Sequence, residues 1–115
     1  MKLSVYIITF NEEQRLARTL KQAAKVADEI IIVDSGSTDS TVEVAEKFGA
    51  KTFFHKWNSY CDQKHYAEQL CQNDFVLMLD ADEVMSDALT DEILKIKQNG
   101  GGFSAYKVKI ANMYP

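Results

Sequence analysis

Few cysteines, little net charge and no long apolar run narrow the reading of this 115-residue chain before any motif is considered. Cys61 and Cys71 stand in no CxxC spacing, so neither a zinc knuckle nor a dithiol redox centre is indicated, and one pair is too few for a disulfide framework. Both are expected to be reduced structural thiols. Thirteen Lys plus Arg against 17 Asp plus Glu leave a net charge of −4, which offers nothing to a phosphate backbone or an anionic membrane, and no nucleic-acid partner is expected. The apolar run from Leu3 to Phe10 is far shorter than the roughly 20 residues that span a bilayer, and Ser4 and Thr9 interrupt it. With only Lys2 ahead of it and no small-residue cleavage site behind, it does not read as a signal peptide, so a cytoplasmic location is expected. Repeats, low-complexity tracts and linkers are also missing, and 46% hydrophobic with 26% charged residues suits one soluble domain.

What is present alternates. Runs rich in β-branched residues predict strands at 3–9, 29–33, 51–54, 75–79 and 103–110. The second and fourth, EIIIV and FVLML, are almost continuously apolar, as in parallel strands covered on both faces by helices. Between them, 12–26 carries Leu16, Leu20, Ala23 and Ala27 at helical spacing. The segment 40–48 opens with Ser40 and Glu43 in capping-box spacing and stops at Gly49, which suits a left-handed cap. Helices are also predicted at 58–70 and at 87–98, the latter before Gly100, Gly101 and Gly102. The order βαβαβαβαβ implies an α/β fold with a mostly parallel sheet wound in two directions from its first strand. Ligands of such sheets bind beyond the carboxyl ends of the strands, where the winding reverses.

The loop after the first strand, Thr9-Phe10-Asn11-Glu12-Glu13, has no glycine, and neither GxGxxG nor a Walker A sequence occurs, so the usual phosphate cradles are missing. After the second strand comes Asp34-Ser35-Gly36-Ser37-Thr38-Asp39-Ser40-Thr41. Asp34 can accept hydrogen bonds from a ribose hydroxyl or a base N–H, and the small residues after it leave room for a ligand, although Ser37 to Ser40 also suit a plain helix cap. The fourth strand runs into Asp80-Ala81-Asp82-Glu83. Three carboxylates in four residues are unfavourable unless one is protonated or a cation is bound, and hard oxygen ligands suit Mg2+ or Mn2+; the alternative is a solvated turn capping the helix near Ser86 and Asp87. Lys64 could meet a phosphate or stay solvated. His55 and His65 have no partner at metal-ligand spacing and read as surface or half-buried histidines.

Taken together, SVYIITFNEE at 4–13, IIIVDSGSTDST at 30–41 and FVLMLDADE at 75–83 resemble the N-terminal part of a family 2 nucleotide-sugar glycosyltransferase of the GT-A fold. WNSYCDQKHYAEQ at 57–69 and the LDADE form further resemble the bacterial enzymes that add hexose or heptose to the lipopolysaccharide inner core. The resemblance implies that 1–115 is the nucleotide-sugar-binding part of one catalytic domain. Thr9, Phe10 and Glu12 would line the nucleotide pocket, Asp34 would hold the base, commonly uracil, and Asp80 would face the ribose. Asn11, Ser35, Gly36, Ser37, Asp39 and Lys64 complete the candidate nucleotide set, and Asp82 would coordinate the Mg2+ or Mn2+ that bridges the donor's diphosphate. A carboxylate does not favourably face diphosphate without such an ion. The implied partners are a UDP-sugar donor and a saccharide or glycolipid acceptor. The full-length protein would be cytoplasmic, with a peripheral position at the inner membrane open to it. The acceptor half and the Asp or Glu that deprotonates the acceptor are expected beyond Pro115, leaving residues 1–115 able to bind donor but catalytically incomplete.

Two rivals are considered. Asp80-Ala81-Asp82-Glu83-Val84 also satisfies the DxDx[TV] pattern of haloacid-dehalogenase-like phosphohydrolases, with Asp80 attacking phosphorus and Asp82 as acid/base. That motif belongs on a first core strand, however, and would leave Asp34 without a role. The other rival is a module that binds nucleotide without turnover.

Overall fold

The structure, a computed structural model, describes residues 2–99. Its elements are β1 (Leu3–Thr9), α1 (Glu13–Ala23), β2 (Glu29–Asp34), α2 (Thr41–Lys47), β3 (Lys51–Phe54), α3 (Tyr60–Leu70), β4 (Phe75–Asp80) and α4 (Asp87–Asn99). All four strands run parallel in the order β3-β2-β1-β4, so the chain winds one way from β1 through β2 to β3 and then crosses to the other side for β4. The expected two-way winding is present. The strand predicted at 103–110 lies outside the described residues.

Alternation along the strands sorts the core onto two faces. Leu3, Val5 and Ile7 of β1, Ile30 and Ile32 of β2, and Leu77 and Leu79 of β4 meet Leu16, Leu20 and Ala23 of α1, Ala45 of α2, and Leu89, Ile93 and Ile96 of α4. Burying each large aliphatic side chain contributes about 1.5–3 kcal/mol, so this face is the main source of stability. Tyr6, Ile31 and Val33 point the other way and pack against Ala67 of α3, with Phe53, Tyr66, Leu70, Val76 and Met78 at the margin. β2 is buried along its whole length, as EIIIV predicts. FVLML is not: Leu77 and Leu79 are buried while Phe75, Val76 and Met78 stay half-buried, Val76 and Met78 because α3 lies chiefly over β1 and β2.

Buried polar groups at the amino ends of the strands are tied together. The Glu29 carboxylate accepts from Ser4 Oγ at 2.7 Å, Gln72 N at 2.9 Å and Lys51 Nζ at 3.0 Å, and Ser4 Oγ accepts from Asn73 Nδ2 at 3.0 Å. Burial opposes ionisation of Glu29, but these donors outweigh it and hold the carboxyl below its ordinary range. The network joins β1, β2, β3 and the approach to β4, and so fixes the end of the sheet away from the candidate site.

The capping box expected at Ser40 is not made, since Ser40 has no side-chain cap bond. Asp39 takes its place, accepting from Thr41 N at 3.0 Å and also from Thr41 Oγ1. Gly49 does adopt the left-handed conformation, with φ 78°. Among the described residues no helix is long and apolar enough to cross a membrane.

Candidate functional site

β2 and β4 each extend one residue beyond the predicted end, and the added residues are Asp34 and Asp80. In register Thr9 pairs with Asp34 and Ile8 with Asp80, so the carboxyl ends of β2, β1 and β4 form one rim. The acidic residues of separate crossover units therefore share one end of the sheet.

Asp34 is 4% exposed and fully engaged. Oδ1 accepts from Thr9 Oγ1 at 2.8 Å and Ser37 Oγ at 2.5 Å, while Oδ2 accepts from Gly36 N at 2.9 Å and Ser37 N at 2.7 Å. Burial pushes this carboxyl up, yet the four donors prevail and hold it below its ordinary range. Four bonds fill the lone pairs of a carboxylate, so a base N–H can reach Asp34 only when a hydroxyl of Ser37 or Thr9 turns away. Gly36, at φ 116°, supplies the backbone turn that aims its N–H back at Asp34.

The glycine-free first loop obtains its left-handed residue from Asn11, at φ 53°. Asn11 Oδ1 accepts from Thr38 N at 2.9 Å and Asn11 N donates to Ser37 Oγ at 2.8 Å, which laces the first loop to the second. Glu12 N donates to Thr41 Oγ1 at 2.8 Å, and the Glu12 carboxylate pairs with Arg15 at 2.8 Å. Asp39 also accepts from Glu13 N at 3.4 Å, so it serves the starts of both α1 and α2. Thr41 foremost holds the Asp39 carboxyl below its ordinary range.

On the other side of the rim Asp80 N donates to Glu83 Oε1 at 2.8 Å and Glu83 N to Asp80 O at 3.0 Å, closing a tight turn. Of the alternative, the solvated turn is present, with Asp82 exposed, but neither Asp82 nor Glu83 caps α4, where Ser86 Oγ accepts from Leu89 N at 3.1 Å. Burial first, then the side-chain contact with Asp80 and the charges of Asp80 and Asp82, raise the Glu83 carboxyl above its ordinary range. Asp82 is exposed, and among the described residues nothing hydrogen-bonds its carboxylate.

Tyr60 opens α3 and donates from its hydroxyl to Asp80 Oδ1 at 2.9 Å. Burial, the bond to Asp80 and the surrounding carboxylates push the phenol up to about 12, so it remains a donor at neutral pH. The Trp57 and Tyr60 rings meet at 75° with centroids 6.0 Å apart, and Lys64 Nζ sits 4.5 Å from the centre of the Tyr60 ring. α3 is seated by Ser59, which accepts from Asp62 N at 3.0 Å, and by buried Gln63, which donates to His55 O at 2.9 Å. His55 is half-buried, stacked on Tyr66 and paired with Asp62; His65 is exposed beside Gln69. Cys61, expected as a structural thiol, is exposed on the first turn of α3, whereas Cys71 packs at the margin of the second core.

A cavity of about 250 Å³ opens at this rim, lined by Ile8, Thr9, Phe10, Glu12, Ser35, Trp57, Tyr60, Asp80, Ala81 and Asp82. Six of the expected residues thus come together: Thr9, Phe10, Glu12, Ser35, Asp80 and Asp82. Asn11, Glu12 and Asp39 line a neighbouring hollow of about 280 Å³. Asp34, Gly36 and Ser37 form the bonded loop beneath, and Lys64 stands behind Tyr60 rather than in the wall. Trp57 and Tyr60 escaped the site prediction even though their segment had been singled out, because no carboxylate or glycine pattern marks an aromatic wall.

Among the described residues no three His, Cys, Asp or Glu converge as a closed metal cage. The hard donors left open are the carboxylate oxygens of Asp82, which no hydrogen bond reaches among the described residues. That set fits Mg2+ or Mn2+, which bind through one or two carboxylates and complete their shell with water and substrate phosphate.

Residues 4–113 match the family model described as glycosyl transferase family 2. An uncharacterized glycosyltransferase of Rickettsia conorii is 47% identical over 115 residues, covering 98% of this chain and 41% of its own length. The lipopolysaccharide core biosynthesis glycosyltransferase LpsC of Rhizobium meliloti is 33% identical over 96 residues, covering 79% of this chain and 35% of its own length. The chain therefore spans about two fifths of the curated relatives it matches. Among solved structures, residues 1–349 of S. aureus TarS in complex with UDP superpose with a TM-score of 0.65 at 26% identity, covering 87% of this chain and 33% of that one.

Proposed function

Because the chain belongs to glycosyl transferase family 2 and carries part of a GT-A fold, we propose that its carboxyl rim binds the nucleoside diphosphate of an activated sugar, UDP foremost. The observation that carries this reading is the 250 Å³ cavity, which sets an exposed aromatic, Phe10, on the side of Thr9 and Ser35 and two carboxylates, Asp80 and Asp82, on the other. The two halves suit the two chemistries of a nucleotide. Phe10 offers a face to the base, and the bonded Asp34 loop supplies polar edges beside it. The Asp80 carboxylate accepts from a ribose hydroxyl. Asp82 holds a divalent cation, and when bound that ion offsets the charge of the diphosphate as it leaves.

The transfer we propose moves a hexose or heptose to a saccharide or glycolipid acceptor with inversion. The likeness to LpsC supports lipopolysaccharide core as the acceptor class, and the TarS structure with UDP supports the donor. Glu83 is tied to the backbone of Asp80, so no general base is assigned within residues 2–99. A phosphohydrolase is disfavoured by the family match.

The test uses Trp57, the single tryptophan, as a reporter in the cavity wall. UDP titrations followed by its fluorescence and by calorimetry should show binding that Mn2+ tightens. Asp82→Asn should abolish the gain from Mn2+ while leaving the melting temperature within a degree or two. A gain that survives in this variant removes Asp82 from the metal role, and no UDP binding with or without Mn2+ overturns the nucleotide reading.

A further inference from the structure

Asp80 presents two different oxygens to its surroundings. Oδ1 receives the Tyr60 hydroxyl at 2.9 Å, and the Glu83 side chain also stands against the Asp80 carboxyl. The Asp80 backbone is pinned at both N–H and C=O by Glu83, so the main freedom left is rotation of the carboxylate itself. Whatever fixes that rotation decides which oxygen a ligand meets.

Tyr60 is built to fix it. It is the first residue of a capped helix, with the Lys64 ammonium 4.5 Å from its ring centre and the Trp57 ring at 75° to it, so backbone, cation–π contact and aromatic pair all restrict one phenol. Tyr60 and Asp80 both line the cavity. Resting on the nucleotide reading above, we propose that Tyr60 is a positioning residue that holds the Asp80 carboxylate in the orientation that accepts a ribose hydroxyl, and that it thereby sets selectivity for ribonucleoside over deoxyribonucleoside diphosphates. Lys64 acts through the ring of Tyr60, which accounts for its place behind the wall.

The experiment compares UDP with its 2′-deoxy and 3′-deoxy analogues, without metal, on the full chain and on Tyr60→Phe, which keeps the ring and removes the donor. The unsubstituted chain should bind UDP about tenfold more tightly than at least one deoxy analogue, the scale of a hydrogen bond to a charged group. In Tyr60→Phe that ratio should fall to about one to threefold, through weaker UDP binding with the deoxy affinity unchanged. Asp80→Asn should also erase the ratio, and the double variant should lose no more than either single one, since coupled residues do not add. A ratio in Tyr60→Phe equal to that of the unsubstituted chain overturns the inference, as does equal weakening of all three ligands, which would mean a merely structural ring. Should the unsubstituted chain bind none of the ligands, the nucleotide reading itself falls. Should Tyr60→Phe prove unfolded by circular dichroism, Asp80→Asn with Lys64→Met decides: Lys64→Met should lower the ratio only where the pose of the ring matters, and an unchanged ratio there overturns the proposal.

Discussion

At Asn11 the backbone turns through φ 53°, where most side chains crowd the following carbonyl and asparagine is tolerated because its short amide bonds locally. Here the amide accepts from Thr38 N, so conformation and loop-to-loop contact rest on one residue. Asn11→Ala loses both and should destabilise the chain by about 1–2 kcal/mol more than Asn11→Gly, which loses the contact but keeps the conformation. Urea unfolding of the two variants measures the difference, and equal losses would show that the amide bond alone matters. The missing glycine in this loop was visible in the sequence, as was the carboxylate at 34. That Asn11 supplies the left-handed residue was not, because φ at an asparagine depends on the bond available to it, and Thr38 is 27 residues away. For the same reason Asp34 looked like an open ligand group: its four donors come from Thr9, Gly36 and Ser37, and only a folded turn brings them round one carboxylate.

Helix starts show what pattern can and cannot specify. Ser40 and Glu43 have the spacing of a capping box, but Ser40 sits at φ −89°, ψ 23°, outside the extended conformation from which a serine reaches the first helical N–H groups, and Asp39 does the capping. Ser59 sits at φ −155°, ψ 165° and does cap α3. Ser59→Ala should therefore cost about 1 kcal/mol of stability, and Ser40→Ala less than about 0.5 kcal/mol. Thermal melts of the two variants separate the cases, and a Ser40 loss as large as that at Ser59 would contradict the capping seen here. The strands were legible at their apolar centres and less so at their ends. Hydropathy closes a strand where charge begins, whereas β2 and β4 continue through their aspartates by pairing with β1. Those final ladder positions carry the carboxylates into the rim.

At the scale of the whole fold, among the described residues, carboxylates held low outnumber the one held high. Asp28, bonded by Lys97 and Leu3 N, joins Glu29, Asp34 and Asp39 below the ordinary carboxylate range, and only Glu83 lies above it. A group whose folded pKa is depressed contributes stability that is fully present above its unfolded value, about 4, and is lost as pH falls through the folded value. Two of the four, Asp28 and Glu29, brace the amino ends of the strands, and Asp34 and Asp39 organise the rim, so acid loosens both ends of the sheet together. The melting temperature should accordingly be nearly flat from pH 7 to about 5 and fall steeply below about 4. Asp34→Asn isolates the share of the rim: an amide offers one acceptor oxygen and turns two donors toward Gly36 N, Ser37 N and the hydroxyls, so the variant should melt lower than the unsubstituted chain at pH 7. The gap should then narrow as pH drops below about 4, because protonation of Asp34 takes away the same acceptor capacity from the unsubstituted chain. Melting curves at half-unit steps from pH 7 to 3 measure it, and a gap that stays constant or widens toward acid would mean that the charge of Asp34 contributes nothing to holding the second loop.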